Sequence, residues 1–177
     1  PFQPGVRYEN QKEPPVYTVS VRTAGQVSGD LLKLRPALLY LPVGEGAAHP
    51  DTVRRCQDAG VAVAALLPRI CTDRELPQLE QELVAMRELG VAEALAGTWG
   101  GVQRAGRLGF QVRGDYGLGV YNSQTMKELK RLGLLSATIS FELKFPQIRD
   151  ISKTLPTEFI AYGRLPLMIT ETCIIYN

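Results

Sequence analysis

The 177 residues hold only one histidine, one tryptophan and three cysteines, and each shortage removes a class of chemistry. With a single histidine, His49, set in a polar loop, no Cys-His or Ser-His pair can be read from the sequence. HExxH and GxSxG are both missing, so neither a zinc-peptidase helix nor a hydrolase nucleophile elbow is present. Cys56, Cys71 and Cys173 are odd in number, widely spaced and form no CxxC. That argues against a disulfide framework and for a reducing, cytoplasmic setting. No GxGxxG follows the first strand-like run and no GxxxxGK[ST] occurs, which removes the common nucleotide-binding loops. No apolar run approaches the roughly 18 residues of a membrane span. A formal charge of +2 leaves no electrostatic footprint for nucleic acid.

What is present is an ordinary globular composition, 45% hydrophobic and 21% charged, in a chain long enough to bury one core. Residues 1–15 carry four prolines and read as a linker or N-terminal arm, leaving 16–177 as one domain. The start lacks Met and any signal pattern, which points to a segment of a longer protein.

From residue 16 a strand–helix unit recurs. Apolar, β-rich runs begin at 16, 37, 61, 93, 110, 137 and 158, about two dozen residues apart, with helical stretches between them. Gly60, Gly90, Gly109 and Gly133 are placed to stop helices, Ser123 to cap one, and GEGAAHP (44–50) to form a loop. The continuous apolar character of ALLYLPV and VAVAALLP fits strands covered on both faces. A parallel sheet with right-handed crossovers follows. Seven strands and about six helices at even spacing fit an α/β, (β/α)8 TIM-type barrel missing its last unit, with an open α/β sheet as the alternative. An unclosed barrel leaves two strand edges able to pair with another chain, so self-association is expected.

In such barrels, functional groups stand where strands end. That rim collects Glu45, Arg69, Thr98, Trp99, Asp115, Tyr116, Glu142, Tyr162 and Arg164. Paired carboxylates serve acid–base work or bind a divalent metal, and arginine grips a carboxylate or phosphate through two N–H groups. The same groups could equally pair with one another to satisfy the mouth. Gly114, Gly117 and Gly119 in RGDYGLGVYNS allow a close backbone approach, to a ligand or simply within a turn.

The run GDYGLGVYNS, a helix ending in LG, then TISFEL and AYGRLPLMITETC resembles the U-32 collagenase-like peptidase family. The likeness spans most of the chain from about residue 16 and is strongest over 114–173. It implies a (β/α)8-type barrel from a bacterial cytoplasmic protein that binds a peptide or protein substrate. On this reading Asp115, Glu142 and Arg164 are the catalytic candidates, with Glu45, Arg69, Tyr116, Asn122 and Tyr162 contacting substrate. The family also includes members implicated in hydroxylating RNA bases or quinone precursors, some holding an iron–sulfur cluster. Cys173 matches the first cysteine that follows the YGR…PL element, and its cluster partners would lie beyond Asn177. Phe141 departs from the family's common proline. A non-catalytic binding or scaffolding barrel is the remaining reading.

Overall fold

In the computed structural model, which describes residues 10, 14–166 and 169, seven strands lie side by side in chain order and all run parallel. They are β1 (Thr18–Ser20), β2 (Leu38–Pro42), β3 (Ala62–Leu66), β4 (Glu93–Ala96), β5 (Gln111–Gly114), β6 (Ala137–Thr138) and β7 (Thr157–Glu158). Between them run α1 (Gly29–Lys33), α2 (Val43–Ala48), α3 (Pro50–Asp58), α4 (Leu76–Glu88), α5 (Trp99–Arg107), α6 (Ser123–Arg131) and α7 (Phe145–Asp150). Uninterrupted sequential order is the signature of a barrel wound in one direction; a doubly wound open sheet reverses at a switch point. The sheet curls into an incomplete (β/α)8-type barrel.

Alternation along the strands sorts side chains into two environments. Leu39, Leu41, Val63, Ala65, Ala94, Ala96 and Val112 point outward and pack under the helices with Val53, Leu83 and Met86. Leu38, Tyr40, Ala64 and Leu95 point inward and form a separate apolar cluster in the barrel lumen. A third cluster beneath α6 gathers Leu118, Met126, Leu129, Ile139 and Ile151. Leu79, Leu83 and Met86, spaced three or four apart on α4, are all buried, as their helical period requires.

Helices α3, α4, α5 and α6 each end at one of the four expected glycines, Gly60, Gly90, Gly109 and Gly133, with φ of 73°, 83°, 81° and 82°. That left-handed turn is strained for any residue with a Cβ. Two expectations need correction. Residues 44–48 are helical, because Gly46 lets α2 settle directly on α4. A Cβ there would fall 2.3 Å from the Met86 sulfur. And α6 is capped by Asn122, whose Oδ1 accepts from Gln124 N and Thr125 N at 2.9 and 3.0 Å. Ser123 Oγ instead accepts from Ser152 N at 2.9 Å, tying α6 to the link after α7.

The lumen also holds a partly buried polar layer. Arg113 on β5 donates to Glu93 on β4 at 2.5 Å and to Ser136 at 3.1 Å. Glu158 on β7 accepts from Ser136 at 3.0 Å and from the Tyr40 hydroxyl at 2.7 and 2.8 Å. Burial, reinforced by the Glu158 charge, pushes the Tyr40 phenol far above its usual pKa. Tyr40 therefore acts as a fixed donor. Asn10 from the N-terminal arm donates to Arg149 O and Ile151 O and accepts from Lys153 N.

Candidate functional site

Strands β3 to β6 exit onto an open cleft of about 510 Å³. Arg69, Gly97, Thr98, Tyr116, Tyr121, Phe141 and Glu142 line it, together with Ser140 and Pro166. Each group arrives by a short local route. Arg69 follows β3 within three residues of its end, so its position is set by a buried strand. Thr98, after β4, starts α5, its hydroxyl accepting from Gly101 N at 3.2 Å. Beyond β5, Asp115 caps a 3₁₀ turn over Tyr116–Leu118. The chain turn after β6 presents Phe141 and Glu142.

The contacts form one chain across the mouth. Arg69 donates from Nη1 to the Tyr116 hydroxyl at 3.0 Å, and its guanidinium lies 4.9 Å from the Tyr116 ring centre. Tyr116 meets Phe141 edge-to-face with centroids 5.4 Å apart. Opposite them the Tyr121 hydroxyl donates to Glu142 Oε2 at 2.5 Å. Gly117 presses on β4: a Cβ on it would sit 2.5 Å from the carbonyl oxygen of Gly97. Only glycine lets the backbone approach that closely, which keeps this part of the mouth open.

The two carboxyl groups differ in setting. Asp115 is half-buried beside Gly97, and it accepts from Tyr116 N at 2.7 Å. Burial raises its pKa above the ordinary carboxyl value, against the lowering pull of that hydrogen bond and of Arg69. Glu142 is exposed at the rim.

Of the residues singled out in the sequence, Arg69, Tyr116 and Glu142 line the cleft, and Asp115 stands behind it. Glu45 lies on α2, where its Oε2 accepts from Ala24 N at 2.7 Å and caps the turn after β1. Asn122 is occupied as the α6 cap. Tyr162 is 99% exposed, and Arg164 is exposed in the segment beyond β7. β7 covers Thr157–Glu158 where the strand was expected over 158–162, because its neighbour β6 ends at Thr138 and the chain turns away at Ser140. Cys173 lies outside the described residues. Among the described residues, no group of three or more His, Cys, Asp or Glu side chains could hold a metal ion, and no helix is long and apolar enough to cross a membrane.

Sequence inspection passed over Tyr121, hidden in a run read as strand and turn. It also passed over the layer of Glu93, Arg113 and Glu158. Arg113, a charge inside β5, was the available signal, since in a barrel such a residue must face either solvent or lumen.

A curled, all-parallel β/α sheet with strands in sequential order places the molecule among β/α-barrel proteins. Residues 47–177 match the model of peptidase family U32, and the chain belongs to that family. Among solved structures, the U32 peptidase Mk0906 superposes with a TM-score of 0.63 at 16% identity, over 88% of this chain and 71% of that one. A mandelate racemase/muconate lactonizing protein from Paracoccus denitrificans PD1222, complexed with magnesium, superposes at 0.50 and 12% identity, over 82% of this chain and 47% of that one. At such identities the likeness is one of fold. Among curated proteins the sequence finds no match.

Proposed function

We propose that this chain forms the substrate mouth of a U32-family peptidase, with a polypeptide lying across the rim cleft and its amide bond hydrolysed by water. The observation that carries this reading is an exposed carboxylate in the cleft with a half-buried carboxyl group standing behind it. Asp115 is half-buried with a raised pKa, and Glu142 is exposed and oriented by Tyr121. A half-buried carboxyl that holds its proton can serve as an acid, and an exposed carboxylate can serve as a base. Glu142 takes a proton from the attacking water, and Asp115 returns one to the departing amine. Arg69, Tyr116 and Phe141 form the wall against which the peptide is held.

The test is cleavage of a mixed peptide library by the full-length protein, read by mass spectrometry. Asp115→Asn and Glu142→Gln are each expected to lower the cleavage rate by about 10²-fold or more, the usual scale for a positioned acid or base. Undiminished cleavage by both variants would rule out these roles.

A further inference from the structure

Arg69 is exposed, yet it is not a free surface arginine. Its guanidinium lies over the Tyr116 ring, one N–H is donated to the Tyr116 hydroxyl, and Tyr116 is braced by Phe141. Among the described residues it has no carboxylate within ion-pair distance, unlike Arg54, Arg104, Arg113, Arg131 and Arg149, each of which has at least one. A guanidinium carries five N–H donors, and the tyrosine hydroxyl uses one of them. Stacking fixes the plane of the fork, and among the described residues its other donors have no acceptor. Among the described residues that line the cleft, Arg69 is the only cation and Glu142 the only carboxylate. They stand on β3 and β6 exits, so the mouth is electrically polarised from one side to the other.

We infer that Arg69 is the specificity-determining residue of this cleft and takes a carboxylate of the bound peptide, with the Tyr116–Phe141 pair holding the fork in place. This rests on the peptide reading above. Pre-ordering explains why an arginine suits the position: a planar, delocalised fork can stack and bind a carboxylate through two N–H groups at once. A lysine keeps the charge and loses both features. The carboxylate has two sources in a peptide, an Asp or Glu side chain or the free C-terminus.

Three peptides sharing one neutral core separate these possibilities in a calorimetric or anisotropy titration of the full-length protein. The first carries one glutamate and an amidated C-terminus, the second a free C-terminus and no acidic side chain, the third neither. The expected result is that the first or the second binds roughly ten- to a hundredfold tighter than the third, the range of a charge-assisted hydrogen-bonded pair. Arg69→Gln should abolish that preference, and Arg69→Lys should restore only part of it. Whichever peptide gains identifies the source. Equal affinity for all three, or a preference that survives Arg69→Gln, overturns the role of Arg69 while leaving peptide binding intact. If none of the three binds, both this inference and the peptide reading fail. Arg69 is exposed, so a melting temperature unchanged in the variants separates loss of recognition from loss of fold.

Discussion

Thr18 on the first strand donates its hydroxyl to Glu158 on the seventh at 3.0 Å, so a side-chain bridge joins the two edges of the sheet. The same carboxylate accepts from Tyr40 and Ser136 and approaches Arg113 at 3.4 Å. One residue thus ties together β1, β2, β5 and β7, with Ser136 just ahead of β6.

Glu158→Ala should therefore be among the most damaging single changes. It strands the Tyr40 hydroxyl and leaves Arg113 with Glu93 as its one carboxylate among the described residues. Loss of a buried ionic partner costs about 3–5 kcal/mol. Urea denaturation should show this loss, whereas Glu158→Gln, which keeps hydrogen-bonding capacity, should cost clearly less.

Gly117→Ala tests the close contact between the Asp115–Gly119 turn and β4. The added Cβ meets backbone, the Gly97 carbonyl at 2.5 Å, and not a side chain that could swing away. A cost of about 1–3 kcal/mol is expected, as for overpacking elsewhere. Gly100→Ala, with nothing near its added Cβ, is the control and should be neutral or slightly stabilising.

Asp115 gives a pH dependence of definite sign. Its folded pKa is raised chiefly by burial, so the folded state holds that proton more tightly than the unfolded one. The associated stability is fully present below the unfolded carboxyl pKa and is lost as pH rises through the folded value. Asp115→Asn should therefore gain stability relative to the native protein between about pH 3 and about pH 7. Melting curves of the two proteins across that range check it; a gap that shrinks with rising pH contradicts it.

Cys56 and Cys71 should be poor nucleophiles. Burial raises both thiol pKa values, and at Cys71 the nearby Glu75 adds to the effect. Alkylation by iodoacetamide at neutral pH, followed by peptide mapping, should modify Cys71 slowly and Cys56 only on unfolding.

The architecture was written in patterns that survive without tertiary context. Continuous apolar runs at 38–42 and 62–66 demand burial on two faces, and the glycines at 60, 90, 109 and 133 end helices through backbone sterics alone. Arg69, Tyr116 and Glu142 could be placed at the mouth because each follows a strand closely. Features decided by a distant partner were not legible. GEGAA packs as a helix because Gly46, lacking a Cβ, fits against Met86 on another helix, and Glu45 is drawn to the amide of Ala24, 21 residues earlier. The apolar look of 159–162 read as strand, yet a parallel strand needs a neighbour, and β6 ends at Thr138. Nothing local marks Glu158, because its partners, Thr18 and Tyr40, lie 140 and 118 residues away.

Backbone amide shifts, followed while an extended peptide carrying a carboxylate is titrated into the protein, read most directly where polypeptide binds. Shifts should concentrate on Arg69, Gly97, Thr98, Tyr116, Tyr121 and Ser140 to Glu142, and Arg69→Gln should weaken them. Shifts centred instead on the outer groove of Pro77, Glu80, Val84 and Leu108, or none at saturating peptide, would contradict a substrate cleft at the barrel rim.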